Sequence, residues 1–321
     1  MAKKIIWAGI LFTLTILFSS WGFFAHQKIN HLAVFTLPKE MLRFYKSNIV
    51  FITEHAVDPD KRRYADSLEA SKHFLDADRY GEFPFDSIPK TWKDAVEKYS
   101  EKEIKQNGIV PWQIERTYYN LVKAFQQRDS SRILKLSADL GHYVADAHVP
   151  LHTTENYNGQ LTKQTGIHAF WESRLPELFS KEYDFYVGKA IYIENPINEA
   201  WKILKTSFNY KDSVLLIEKR LSKHFPSDRK FTFSERKGKV EKQYSEEYSR
   251  AYHDAMNGMV ERQMRSSILS VGSFWFSAWV DAGQPKLKQM LKKDVSKEER
   301  QAIEKEEKLY NQQKIIGRKE D

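Results

Sequence analysis

The chain has 321 residues, 41% of them hydrophobic and 29% charged, with a formal net charge of +8; it is too apolar for a disordered chain and long enough for one large core or two modest ones. It has no cysteine, which excludes disulfides and thiolate metal sites and leaves any metal to His, Asp, Glu or main-chain ligands. The positive excess suits nucleic acid and anionic phospholipid head groups equally, and suits a plain basic surface as well.

At the start, Lys3 and Lys4 precede an apolar run from Ile5 to Phe18. This is the shape of a secretory signal and is short for a bilayer span. Cleavage is expected after Ser20, although Phe18 is bulky where a small residue is usual; an uncleaved anchor is the alternative. Phe23 to Leu37 has helical spacing at Ile29, Leu32, Ala33 and Val34, and Pro38 stops it. Pro38 can open a second helix that buries Met41, Leu42, Tyr45, Ile49 and Ile52. "DPDKRRYADS" then reads as a charged loop and "HFLDADRYGEFPFDSIP" as a turn-rich aromatic stretch. Helical spacing returns from Gln113 to Asp146 through Tyr118, Leu121, Phe125, Ile133, Leu136 and Leu140. Another long helix is expected from Ser245 to about Ala282, ended by Gly283 and Pro285. No run of alternating strands, repeat or linker is visible. The pattern predicts a signal peptide over 1–20, one all-α multi-helix domain over 21–285, and a charged helix or tail over 286–321.

The histidines and acids cluster. "GHYVADAHVPLH" holds His142, Asp146, His148 and His152. On a helix His142 and Asp146 stand at i and i+4, so both project from one face. Pro150 ends that helix and lets His152 fold back from the next turn. "GIHAFWE" repeats the device with His168 and Glu172. A single His-x3-Asp pair is more often a hydrogen-bonded core pair. Two such pairs plus His152, all between positions 142 and 172 of a cysteine-free chain, point instead to zinc held by imidazole and carboxylate. His148 lies off this stripe and reads as structural support. Upstream, Asp58 alone would be a loop acid and His73 a helix-end histidine. His31, His55, His224 and His253 have no carboxylate companion at a useful helical spacing.

Taken in order, Trp21-x4-His26, Asp58, the "HF-x-D" of His73 to Asp76, "H-x3-D-x5-H" at His142, Asp146 and His152, and "H-x3-E" at His168 and Glu172 resemble the superfamily of three-zinc phosphodiesterases. It contains bacterial zinc-dependent phospholipases C and single-strand-specific nucleases. The resemblance implies an all-α fold with a zinc cluster in a cleft between helices. One zinc would take Asp58, His73, His142 and Asp146, and a second His152, His168 and Glu172. The third would take the main chain of Trp21, as mature N-terminus, with His26 and Asp146. Asp146 would then bridge two metals and, with Asp58, would be counted among the catalytic residues. The implied reaction is hydrolysis of a phosphoester by a metal-bound hydroxide. Cleavage next to Trp21 would gain a meaning from the resemblance: it would free the amine that chelates zinc in that family.

The substrate is divided between two branches. Trp-x4-His and "HVPLH" are similar to the nuclease branch, where Phe74 would stack a base and Asp76 would bond its edge. Glu172 is similar to the phospholipase branch, since nucleases carry aspartate there. Lys61 is a candidate phosphate clamp, although a solvated lysine is the plainer reading. The sequence favours an exported single-strand nuclease or 3′-nucleotidase, with a phospholipase C acting on phospholipid head groups as the alternative. An inactive zinc-stabilised binding protein comes third.

Overall fold

The computed structural model describes residues 23–236 and 239–290, together with Gln301 and Lys305. Helical spacing in the sequence does become helix, in shorter pieces than the hydrophobic pattern suggests. The first is α1 (Phe23–Ala33), followed by a short turn and Pro38, whose extended backbone caps α2 (Lys39–Ser47). The expected second helix breaks at Asn48, so Ile49 and Ile52 belong to α3 (Ile49–Glu54). After it come α4 (Asp58–Arg62), α5 (Pro84–Ser87), α6 (Trp92–Tyr99) and α7 (Glu101–Asn107).

The stretch from Gln113 to Asp146 is two helices, α8 (Val110–Gln127) and α9 (Ser130–Ala147). Arg128 enters the left-handed region at φ 54° and ends the first. Asp129 then accepts from the backbone N–H of Arg132 and starts the second, satisfying a donor that an uncapped helix would leave orphaned. Beyond the short α10 (Ile167–Ala169) and α11 (Leu175–Phe179) runs the 29-residue α12 (Pro196–His224), capped by Asn195. The expected helix from Ser245 to Ala282 is likewise split. Asn257 and Gly258 are both left-handed and separate α13 (Glu246–Ala255) from α14 (Met259–Asp281).

One expectation is corrected. Strands β1 (Phe231–Arg236) and β2 (Lys239–Tyr244) form an antiparallel hairpin between α12 and α13. Phe231 and Phe233 alternate with Thr232 and Ser234, the period-2 pattern of a strand, but over too few residues to stand out. The architecture is nevertheless all-α, and no helix among the described residues is long and apolar enough to cross a membrane. Leu287 and Met290 are buried, in a turn packed on α2. The cleavage site, Trp21 and nearly all of the charged tail lie outside the described residues.

The centre of the bundle is α9, packed by α1, α8 and α14. Every residue from Ser137 to Ala147 is buried, so its polar side chains must find partners inside the protein. Trp275 of α14 donates from its indole N–H to the Ser137 carbonyl at 2.9 Å and stacks on Tyr45. On the other side α1 crosses at Gly141, where a Cβ would collide with the Asn30 side chain. Asn30 donates to the Ala138 carbonyl at 3.2 Å. This close approach seats His26 of α1 against His142 of α9, ring on ring at 4.1 Å.

Candidate metal centre

Seven side chains from separate parts of the chain meet at the C-terminal half of α9. Helical spacing places His142 Nε2 at 3.2 Å from Asp146 Oδ2 and, in the segment through α10, His168 Nε2 at 2.9 Å from Glu172 Oε2. Phe170–Arg174 has the wider turns of a π-helix, an irregularity often found at functional sites. His152 arrives on the turn that follows Pro150, as the proline's helix-breaking geometry requires. It lies 3.4 Å from Glu172 Oε2. His73 Nδ1 reaches Asp146 Oδ2 at 3.0 Å. His26 Nε2 stands between Glu172 Oε1 at 3.1 Å and Asp146 Oδ1 at 3.4 Å.

Asp146 sits in the middle of this cluster. Its Oδ2 faces His73 and His142, while its Oδ1 faces His26 and His152. Burial works against its charge, yet His142 and His152 hold it well below the usual carboxylate range. Burial also opposes the charge of Glu172, which His152, His168 and His26 hold down in the same way.

Asp58 is not brought to His73 and His142. Its Oδ2 meets His55 Nδ1 at 2.5 Å and its Oδ1 accepts from Lys61 Nζ at 3.3 Å. Asp60 stands where Asp58 was expected, with Oδ1 at 3.7 Å from both His73 Nδ1 and His142 Nε2. The reason is helical geometry. Both acids lie in α4, and two residues at roughly 100° each turn the side chains to opposite sides. His55 therefore does have a carboxylate companion, and Lys61 is committed to Asp58.

The family model for zinc-dependent phospholipase C matches residues 25–231. The chain belongs to that family. No curated protein matches it. Membership brings zinc dependence and phosphoester hydrolysis, and the donor set can be tested against the metal. Three groups of three ligand atoms each lie within 4.8 Å of one another: His26, His142 and Asp146; Asp60, His73 and His142; His152, His168 and Glu172. The Ala56 carbonyl accepts from His142 Nδ1 at 2.9 Å, and the His73 carbonyl accepts from His152 Nδ1 at 2.8 Å. Each proton is thereby placed on Nδ1, and the Nε2 lone pairs face inward. There His142 Nε2 meets His73 Nδ1 at 3.0 Å, and His152 Nε2 meets His168 Nε2 at 2.9 Å. Imidazole nitrogens converging on one another and on carboxylates are what a cation requires. Burial disfavours charge on His142, but Asp146 and Asp60 pull its pKa up to about 9. The same field that would hold a proton there favours a metal ion. The residues fit zinc.

A second network braces this centre from behind. Glu69 is 1% exposed. It accepts from the Tyr143 hydroxyl and, at 2.5 Å, from Lys72 Nζ. Arg62 lies 3.6 Å from it and bonds Asp139 at 3.1 Å and the Tyr143 hydroxyl at 3.2 Å. Burial raises the Glu69 pKa, but Arg62, His73 and Lys72 bring it down to about 2. Glu69 Oε1 is also 3.8 Å from His73 Nε2, a ring nitrogen with no hydrogen-bond partner. Sequence reasoning passed over Asp60 and Glu69. Glu69-x3-His73 is the same i, i+4 signal that exposed His142 and Asp146, and it was available.

The two residues expected to contact a base are enclosed. Phe74 is 4% exposed and Asp76 5%. The Gly108 backbone runs directly against the carbonyl and ring of Phe74, and Asp76 N–H donates to the Asn107 carbonyl at 2.7 Å. His148 stands outside the three ligand groups. Its Nδ1 donates to the Val144 carbonyl at 2.8 Å, and burial pushes its pKa down to about 4.

Proposed function

We propose that this protein is an exported phospholipase C-type enzyme that hydrolyses a phosphodiester of a phospholipid head group. One observation carries the choice over a nuclease: Phe74, which would stack a base, is packed against Gly108 and offers no open face. The "H-x3-E" at His168 and Glu172 supports the same branch. The spacing of Trp21 and His26 favours the nuclease reading, which stands second.

In this reading three zinc ions are held, with Asp60 replacing Asp58 in the ligand set. Asp60, His73, His142 and Asp146 would hold one, and His152, His168 and Glu172 another. His26 and Asp146 with the freed Trp21 amine would hold the third, once a leader is removed after Ser20. Zinc, when bound, supplies positive charge that offsets the phosphate's own and acidifies water at neutral pH. The protein's part is positional. Asp146 ties the groups together through its two oxygens, the Ala56 and His73 carbonyls fix the His142 and His152 tautomers, and Glu69 faces the far side of His73.

The test is turnover by zinc-loaded protein starting at Trp21, offered phosphatidylcholine in one arm and single-stranded DNA and RNA in the other. Release of the phosphorylated head group with inert nucleic acid is the expected result. Nucleic-acid cleavage with inert lipid would establish the nuclease instead. Retained zinc with neither activity would leave the inactive binding protein.

A further inference from the structure

The β-hairpin is built with its apolar face outward. Register pairs Phe231 with Tyr244 and Phe233 with Lys242, so Phe231, Phe233, Val240, Lys242 and Tyr244 share one face, and Thr232, Ser234 and Gln243 the other. At the root, Phe231 stacks on Tyr244, which stacks in turn on Phe170 at 3.9 Å and on Tyr248. Beyond the root no described residue covers that face. Phe233 is 70% exposed and Val240 72%; among the described large hydrophobic residues only Tyr186 is more exposed. Edge-exposed apolar strands are an aggregation hazard that soluble proteins usually avoid.

Charge identifies what would cover it. Residues 229–242 include six basic and two acidic side chains. Arg229 and Lys230 are committed to Glu247 and Glu218, and the remainder of the stretch is still basic. Lys242 is exposed beside this face, its ammonium 4.0 Å from the Phe231 ring centre. Exposed apolar side chains beside Lys242, in a stretch whose sequence is net basic, suit a surface that is hydrocarbon below and anionic above.

We infer that the hairpin is a membrane-docking element that seats Phe233 and Val240 in the interfacial region of an anionic phospholipid bilayer. This rests on the phospholipid reading for its purpose, not for its observations. Phe170 lies between His168 and Glu172 in sequence, and the Tyr244 stack joins it to the hairpin. Docking therefore fixes the bilayer relative to the segment that carries two of the zinc-binding side chains.

The experiment uses zinc-loaded protein starting at Trp21 and the double variant Phe233→Ser with Val240→Ser. Co-sedimentation is measured with phosphatidylcholine vesicles, with and without phosphatidylserine. Turnover is measured in parallel on a monomeric short-chain phosphatidylcholine. The double variant is expected to bind vesicles on the order of tenfold more weakly and to cleave the monomeric lipid as the parent does. Lys242→Gln should remove part of the gain from phosphatidylserine. Equal vesicle binding by parent and variant would overturn the proposal. So would a parent dimer that the double variant converts to monomer, since the face would then belong to a second copy. Weakened vesicle binding with no turnover of monomeric lipid by either protein would uphold the docking surface and sink the phospholipase reading.

Discussion

Glu69→Gln keeps the shape of the side chain and removes its charge. In the folded protein the Glu69 carboxyl titrates at about 2, against an ordinary value of 4.5. A gap of that size corresponds to about 3 kcal/mol of stability. The folded-state pKa is lowered, so the contribution is complete above pH 4.5 and is lost as pH falls toward 2. Burial at 1% exposure leaves little solvent screening to discount. Urea unfolding should therefore show the variant less stable by about 3 kcal/mol at neutral pH. That difference should narrow steadily as the pH is lowered from 5 to 3 in parallel titrations of both proteins. Zinc-stripped and zinc-loaded samples should show the same trend. With the carboxylate beside His73 Nε2 neutralised, the variant should also yield zinc to a chelator roughly 10–100-fold more readily. A stability gap below about 1 kcal/mol at neutral pH, or one that does not change on acidification, would refute the argument.

The ligand roles are checked by three further changes. Asp60→Asn should lower bound zinc, measured by elemental analysis, whereas Asp58→Asn should leave it unchanged and cost only the contacts with His55 and Lys61; the reverse pattern would restore Asp58 to the ligand set. Asp146→Asn removes the charge shared by four histidines and should abolish turnover while reducing metal content at more than one position. Full metal with full rate would end its bridging role. An extra residue ahead of Trp21 should cost one zinc equivalent and spare the rest, and an unchanged zinc content would remove the amine from the ligands.

What could be read in advance follows from the range of each rule. His142 with Asp146 and His168 with Glu172 are separated by one helical turn, so local geometry alone brings their side chains together. His152 was legible because Pro150 must end α9. Asp58 against Asp60 was not, because the choice depends on which side of α4 faces α9, a tertiary fact absent from the string Asp-Pro-Asp. The helix breaks at Asn48, Arg128 and Asn257 escaped notice for a related reason. In each case a non-glycine residue leaves the helical angles, Asn48 at φ −116°, Arg128 at 54° and Asn257 at 48°, the last followed by the left-handed Gly258, and hydrophobic spacing carries no sign of such a change.

The same reasoning explains why the substrate was harder to read than the metal. Zinc is recognised by donor atoms, and donor atoms are residue types that a sequence displays directly. A base or a head group is recognised by an open surface. "HF-x-D" gives residue identity only, and Phe74 differs from a base-stacking aromatic because Gly108, with φ at 94°, lets the backbone after Asn107 close over it. A residue with a Cβ at position 108 would collide with the Phe74 carbonyl and ring. The enclosure of Phe74 is thus set by a glycine more than thirty positions downstream of the motif, through a close approach that only the folded chain reveals.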